Sequence, residues 1–515
     1  MTRGTWYAAR LSLTAALGGF LMGYDASVIS GAIGPLTAEF KLDSIQSGFA
    51  VACLTLTATF AMMCSGPLSD RFGRRAMLRV AAIVFGLSAV ASAFATDFYS
   101  LVAARMLGGL GVGAALIVAP LYIAELAPGH LRGRMVAFNQ LNIVLGLFAA
   151  PLANYFIYQL GQDGVSNLAE SGWRWMLGVE AIPAVIYFFA LFAVPESPRW
   201  LATRGDNDQA LDILSRVTDR ETAQADLDAL HASLAEASGK SKGSVFELLN
   251  PALRLVLILG AGVAILQQIT GINAIFFYAT TIFELTGIST GDSLMQTVIV
   301  TAVNVVFTVI AILTIDRFGR RTLLLAGVTM VAAFLFLVSW GFASATYTLQ
   351  ADHLDSLPEG VERSAVAPLV GQTFESDIAL RKALSGVLDA ETMTAHGSDL
   401  VKMTIEANST LILIGILGFV AGFAVSLGPV MWVLFSELFP GWIRGVAISF
   451  VGLINSAVSF LVQQVFPWEL ENLGNSMTFL IYGVFAVIGL LFVARLLPET
   501  KGRSLEELET LLVKS

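Results

Sequence analysis

One carboxylate and one group of amides are out of place in this 515-residue chain. Asp25 stands in Gly23-Tyr24-Asp25-Ala26-Ser27, within a long run that is otherwise uncharged. An ionised acid in such a run is costly, so it is a functional hypothesis by default. The chemistry open to it is proton uptake and release, or a fixed buried ion pair. The amides are Gln267, Gln268 and Asn273, in Gln267-Gln268-x-x-Gly271-x-Asn273, with Gln140, Asn304 and Asn455 in other apolar runs; Trp432 adds an aromatic face in another such run. Amides donate and accept at once. In lipid they must face a watery cavity or bond one another across helices.

Spacing sharpens the amide group. At about 100° per residue, Gln268 and Asn273 lie roughly 140° apart on a straight helix. Both can reach one small ligand only if the helix breaks near Thr270-Gly271. Other chemistries find no residues. There is no nucleotide loop, no His/Cys/Asp/Glu metal cluster and no nucleophile–base arrangement, which argues against an enzyme, a bound cofactor or a metal. Cys53 and Cys64 share one apolar run and read as packing residues. A net charge of −9 with scattered basic residues leaves no nucleic-acid footprint.

The elements that must position these residues are helices in a membrane. The chain is 56% hydrophobic and 13% charged, with a mean hydropathy of +0.74. A soluble domain is about a quarter charged. Runs of about 20 apolar residues recur, the length of a spanning helix; Ala407 to Ser436 contains no charge at all. Spans are expected near 10–33, 46–66, 77–95, 99–121, 135–158 and 174–194, then 254–282, 293–315, 322–345, 407–436, 445–466 and 476–496. The fold class is an all-α polytopic membrane protein, with twelve helices in two six-helix bundles. No soluble domain large enough for its own core is expected. The N-terminal run is expected to remain as the first span, with no cleaved signal peptide.

A repeat supports the two bundles. Asp70-Arg71-Phe72-Gly73-Arg74-Arg75 recurs letter for letter at Asp316–Arg321. Glu125-Leu-Ala-Pro-Gly-His-Leu-Arg132-Gly133 is echoed by Glu437-Leu-Phe-Pro-Gly-Trp-Ile-Arg444-Gly445, and Pro195-Glu196-Ser197 by Pro498-Glu499-Thr500. From Asp70 to Asp316 is 246 residues, from Glu125 to Glu437 is 312, and from Glu196 to Glu499 is 303. The jump of 66 places an insertion in the second half, at about 346–405, acid-rich and read as a solvated extracellular cap with a helix in 374–395. The organisation expected is a first bundle (1–194), a cytoplasmic linker of short surface helices (195–253), a second bundle (254–497) and a tail (498–515). Arg and Lys in the motif loops, linker and tail lie on one side, which makes that side and both termini cytoplasmic.

Taken together, these motifs resemble the sugar porter family of the major facilitator superfamily. The likeness extends to Arg105-Met-Leu-Gly-Gly-Leu-Gly-Val-Gly113, Pro195-Glu-Ser-Pro-Arg199 and Pro498-Glu-Thr-Lys-Gly502, and covers nearly the whole chain except the insertion. The resemblance implies twelve-helix carriers whose halves rock around a central sugar site. It implies that Gln140, Gln267, Gln268, Asn273, Asn304, Trp432 and Asn455 contact the sugar. Ser456, Met22 and Phe277 depart from the residues usual in relatives, so the exact sugar does not transfer.

Proton-coupled members of the family carry Asp where facilitative ones carry Asn, and Asp25 stands at that place. Arg105 and Glu180 match the partners of that acid. A moving Arg105 would let Asp25 take up and release a proton while Glu180 holds the cation. Asp70, Arg74, Glu125, Arg134 and Glu196, with Asp316, Arg320, Glu437, Arg444 and Glu499, are expected to form a cytoplasmic gate network, with Asp70 meeting Arg134 or Arg132. Arg suits this because its planar fork pairs bidentately with carboxylates. The expected function is a proton-coupled monosaccharide symporter in the cell (inner) membrane, monomeric, with the proton as coupling ion, a small sugar and the bilayer as partners. The rivals are a uniporter of the same fold and, against the short C-terminal tail, a sugar sensor.

Overall fold

The computed structural model of the protein describes residues 3–128, 131–238, 247–248, 250–358, 360–501 and 507–509. Among the described residues, eleven helices are long and apolar enough to cross a membrane. In the first half these are span 1 (Arg3–Phe40), span 2 (Ser44–Phe72), span 3 (Arg74–Ala93), span 4 (Phe98–Leu126) and span 5 (Arg132–Gln162). The expected span 6 is split into Ser166–Gly178 and Ala181–Ala190, pieces of 13 and 10 residues that are not among the eleven. The split falls at Val179-Glu180, so the sequence's apolar run hides a break beside its one acid.

The second half begins with span 7, in three pieces: Arg254–Ile269, Ile272–Phe277 and Ala279–Glu284. Span 8 (Thr290–Phe318) and span 9 (Arg320–Ala343) follow, then span 10 as Ser409–Val425 and Leu427–Leu438. Span 11 is Arg444–Asn472 and span 12 is Asn475–Leu496. Many large apolar side chains on these helices, such as Phe60, Phe94, Phe189, Leu313 and Trp340, are exposed. That surface is tolerable only against lipid.

The chain groups into two compact units. One comprises Met1–Ser27, Cys53–Ala150 and Leu177–Ser244. Its core is built from Leu11, Phe85, Val118, Tyr122 and Tyr187. The linker helices Pro198–Thr203, Asn207–Val217 and Arg220–Ser238 belong to it. Ala210, Ile213 and Val217 recur at helical spacing on one face and are buried in that core, so the linker is docked on its first bundle. Within the unit, span 4 sinks its glycines into its neighbours. A Cβ on Gly109 or Gly113 would strike the backbone of span 2, at Leu54 O and Ala58 O. Such contacts between small residues hold helices together where water supplies no driving force.

The other unit comprises Val28–Ala52, Pro151–Met176 and Val245–Ser515. Its main core is formed by Val256, Leu259, Val263, Leu434, Phe435 and Val451. On the side of the membrane that carries the insertion, it also gathers the ends of spans 1, 2, 5 and 6. Gln464 of span 11 donates to Ile45 O of span 2 at 2.8 Å, Phe49 packs edge-on to Phe460, and Gly48 leaves no room for a Cβ against Gln464 O. Glu39 at the end of span 1 accepts from Trp173 Nε1 at 2.6 Å and pairs with Arg174 at 2.7 Å. The ends of spans 2 and 11 are therefore closed on one another on this side.

The insertion corrects the expectation of a coreless solvated cap. It folds around its own apolar cluster of Tyr347, Leu349, Val366, Leu380, Leu400 and Val401. Three short strands, β1 (Thr346–Thr348), β2 (Thr373–Phe374) and β3 (Ile405–Glu406), form an antiparallel sheet in the order β2-β1-β3. This is the one departure from an all-helical fold among the described residues. A short helix, Arg363–Val366, is followed by Asp377–Leu384 and Ala390–Thr404, rather than one helix in 374–395. Apolar residues at helical spacing bury one face of each, while Asp352, Asp355, Glu362, Glu375, Asp389 and Asp399 are exposed and Asp377 is buried. Asp377 accepts from Asn475 N at the start of span 12, and Lys402 pairs with Glu284 at the end of span 7 at 2.8 Å. Burial opposes the Lys402 charge, but the Glu284 carboxylate outweighs it and holds the ammonium above its ordinary pKa.

Candidate functional site

The first unit contains the charges. Asp25, Arg105 and Glu180 are all buried, on spans 1, 4 and 6. Arg105 Nη1 lies 3.7 Å from Asp25 Oδ1. Gly108, one turn along span 4 from Arg105, makes room for this pair: a Cβ there would press on Ser88 Oγ and stand 3.5 Å from Asp25 Oδ2. Among the described residues, Arg105 Nε and Glu180 Oε1 find no hydrogen-bond partner. Among the described residues Glu180 is in no ion pair, although it sits where spans 4 and 1 present one cation and one acid. With all three ionised, two carboxylates and one guanidinium leave a net charge of −1; one proton neutralises the set. Cys53 is buried near this set and Cys64 is exposed, so only the first is a packing residue. Gln140 is half-buried on span 5 in the same unit.

The second unit contains the amides, and the break in span 7 assembles them. The helix stops at Ile269, and Gly271 has φ +86°, a left-handed conformation that side chains with a Cβ rarely adopt. The second piece starts at Ile272. The turn brings Asn273 back over Gln268: Asn273 Nδ2 donates to Gln268 Oε1 at 2.8 Å. Gln268 Nε2 donates to Gln267 Oε1 at 3.1 Å and to Asn455 Oδ1 at 3.2 Å. Asn455 Nδ2 donates to Gln267 Oε1 at 2.8 Å, and Gln267 Nε2 to Leu427 O at 3.0 Å, where span 10 itself restarts after Ser426. Donors and acceptors thus converge from spans 7, 10 and 11, each satisfied by a neighbour. Asn304 is buried on span 8, and Trp432, 47% exposed, meets Phe435 edge-on on span 10.

Two further polar residues belong to this cluster and were missed in the sequence. Ser459 Oγ accepts from Asn273 Nδ2 at 2.7 Å and from Gln463 Nε2 at 2.7 Å. Asn455, Ser459 and Gln463 are spaced four apart, a polar stripe on an apolar helix. That spacing was the available signal.

The doubled motif builds two similar corners away from these sites. Spans 2 and 3 are joined by Gly73 alone, and spans 8 and 9 by Gly319 alone, with φ +96° and +91°. A Cβ at either glycine would meet a carboxylate, of Glu196 or of Glu499. Those carboxylates cap the following helix. Glu196 Oε1 accepts from Arg74 N and Arg75 N at 3.0 and 3.1 Å, and Glu499 Oε1 accepts from Arg320 N at 2.9 Å. An anion is favoured at a helix N-terminus, where backbone N–H groups lack partners. Burial works against the Glu499 charge, yet these backbone donors hold its carboxyl below the ordinary range.

Arg74 then forks onto Glu125 with Nε and Nη2 at 3.0 and 2.9 Å, and Arg320 reaches Glu437 at 3.1 and 3.0 Å. Ser197 and Thr500 each donate a hydroxyl to Oε2 of that glutamate, at 2.5 and 2.6 Å; in Glu125 this oxygen also accepts from Arg74 Nε, whereas in Glu437 Arg320 Nε donates to Oε1. These pairs lie within one half each. Asp70 meets Arg74, one turn on, at 2.9 Å. The side chains of Arg132, Arg134 and Asp316, and residue Arg503, lie outside the described residues. Arg444 does not join Glu437, whose oxygens are already engaged; its Nε donates to Phe439 O at 3.0 Å.

Comparison with known proteins decides what scaffold this is. The model of the family described as sugar (and other) transporter matches residues 11–355 and 384–512. The chain belongs to the sugar transporter family of the major facilitator superfamily. It is 34% identical over 506 residues to the arabinose-proton symporter of Bacillus subtilis, covering 98% of this chain and 95% of that one. It is 33% identical over 537 residues to the D-xylose-proton symporter of Escherichia coli K12, covering 98% and 96%. Among solved structures, the partially occluded inward-open conformation of the E. coli xylose transporter XylE matches with a TM-score of 0.75 at 31% identity, covering 97% of this chain and 99% of that one. This sugar transporter is therefore an integral multi-pass membrane protein and not an enzyme. The unmatched stretch in the family model, 356–383, falls inside the insertion.

Proposed function

We propose that this member is a proton-coupled symporter that moves a monosaccharide by alternating access, with both termini cytoplasmic. The observation that carries the reading is the buried set of one cation and two acids. A static pair needs only Asp25 and Arg105; the third group, Glu180, is surplus to structure and fits an exchange of the cation between two carboxyls. When Arg105 leaves Asp25 for Glu180, Asp25 can be carried as the neutral acid, and its return expels the proton.

The sugar is read by the amides of span 7 and Asn455, with Gln140, Asn304 and Trp432 as further contacts. A sugar hydroxyl donates and accepts, as each amide does, so binding exchanges amide–amide for amide–hydroxyl hydrogen bonds at little net cost. The corners at Arg74–Glu125 and Arg320–Glu437, with Asp70, Arg134, Glu196, Asp316, Arg444 and Glu499, serve as cytoplasmic latches. Two relatives named for pentose–proton symport support the coupling and the cargo class.

Uptake of D-xylose, L-arabinose, D-glucose, D-galactose and myo-inositol into proteoliposomes, with and without an inward-directed proton gradient, tests the reading. Accumulation of at least one of them only with the gradient is expected. Equal uptake under both conditions would make the protein a uniporter.

A further inference from the structure

The amide hydrogen bonds described above run between spans 7, 10 and 11, yet one side chain of span 12 closes the break that creates that cluster. The Tyr482 ring occupies the space that a Cβ on Gly271 would fill. Its hydroxyl donates to Glu469 Oε2 of span 11 at 2.6 Å, so the ring cannot swing away without giving up that bond. On its other flank it stacks on Phe466, with centroids 6.3 Å apart and planes 23° from parallel. Phe466 is in turn 5.2 Å from Tyr278. Tyr278 marks the second break of span 7, between Phe277 and Ala279, and its hydroxyl donates to Gln463 O at 3.2 Å. One aromatic column thus touches both breaks of span 7 and is anchored at each end by a tyrosine hydroxyl.

We propose that Tyr482, anchored on Glu469, is a positioning residue for sugar recognition. By filling the hollow at Gly271 it fixes the angle between the two helical pieces that carry Gln268 and Asn273. This rests on reading those amides as the sugar site. A glycine break is otherwise a hinge: the residue has wide conformational freedom and no side chain to lock it. Two amides on either side of a hinge bind one ligand well only if the hinge is set before the ligand arrives, because ordering it afterwards subtracts from the binding energy. The column supplies that order from spans 11 and 12 without touching the sugar, and leaves the proton-handling residues of the first unit alone.

The test is sugar counterflow in proteoliposomes containing the full-length protein, using whichever of the five sugars above the wild type exchanges fastest. Tyr482→Phe keeps the ring and loses the anchor. It is expected to raise KM about tenfold, the worth of one hydrogen bond, with the maximal exchange rate within about twofold of wild type. Glu469→Leu should do the same, and the double variant should be no worse than either single one. Glu469→Gln retains an acceptor and should restore the wild-type KM. A merely structural role would lower the amount of folded protein and the maximal rate and leave KM in place; that outcome overturns the inference. So does an unchanged KM in Tyr482→Phe while Gln268→Ala raises it. If Gln268→Ala also leaves KM unchanged, or the wild type exchanges none of the five sugars, the reading of the amide site falls, and this inference with it.

Discussion

The two units solve opposite problems with opposite residues. In the first, Asp25, Arg105 and Glu180 bury ionisable groups with few bonds among the described residues: a 3.7 Å contact, an orphaned guanidinium nitrogen and an orphaned carboxyl oxygen. In the second, Gln267, Gln268, Asn273 and Asn455 bury only neutral groups, and they form a closed network of bonds between 2.8 and 3.2 Å. An under-satisfied charged set is poised to change partners or protonation state, because each alternative costs little more than the present one. A satisfied amide set is poised to trade one neutral partner for another. On the proposed function, proton handling belongs to the charged set and the main sugar contacts to the amide set, so a substitution in one set is expected to leave the other's task in place.

The largest expected effect is on the amide side. Gln268→Ala removes the acceptor for Asn273 and the donor to Asn455, and should raise the KM for sugar by roughly 10- to 100-fold, one to two hydrogen bonds' worth. The proton-to-sugar ratio, measured from sugar-induced alkalinisation against uptake, should stay as in the wild type. A changed ratio would mean that the two halves do not divide the work.

A second, smaller effect separates the motif corners. The Arg74–Glu125 side chains are 7% and 5% exposed, against 14% and 19% for Arg320–Glu437. Removing one partner of a buried pair strands the other charge, at about 3–5 kcal/mol, and exposure reduces this. Glu125→Gln should therefore lower thermal stability in detergent more than Glu437→Gln. The reverse order would show that burial does not set the strength of these corners.

The smallest effect concerns the insertion. Lys402 is held above its ordinary pKa, chiefly by Glu284 against the pull of burial. A raised folded value means that the contribution is complete below the unfolded value of about 10.4 and is lost as pH rises through the folded one. Hydrogen exchange of the helix Ala390–Thr404 should be flat up to about pH 10, after correction for the intrinsic rate, and should show excess opening only above it. Lys402→Met should remove that alkaline step.

Much of this contrast could be read before the fold was known. Asp25 announced itself because an acid in an apolar run has no inexpensive explanation. The 140° between Gln268 and Asn273 called for a break near Gly271, and the break is there. The identical Asp-Arg-Phe-Gly-Arg-Arg copies gave two corners of the same build. What escaped has a common cause: the partner lay far away in sequence or the signal was masked by apolarity. The break in span 6 beside Glu180 and the break in span 10 at Ser426 sit inside runs that read as continuous helix. Glu196 and Glu499 reach back 122 and 179 residues to cap spans 3 and 9, and no local pattern announces that. The insertion's core hid behind acidic composition, because its strands are only two or three residues long.

The central claim is that the carboxylate of Asp25 couples a proton to the movement of sugar. Asp25→Asn in proteoliposomes tests it most directly, with gradient-driven accumulation and sugar counterflow measured on the same preparation. The account predicts that accumulation falls to the equilibrium level while counterflow keeps its KM. Accumulation that survives the substitution would contradict it.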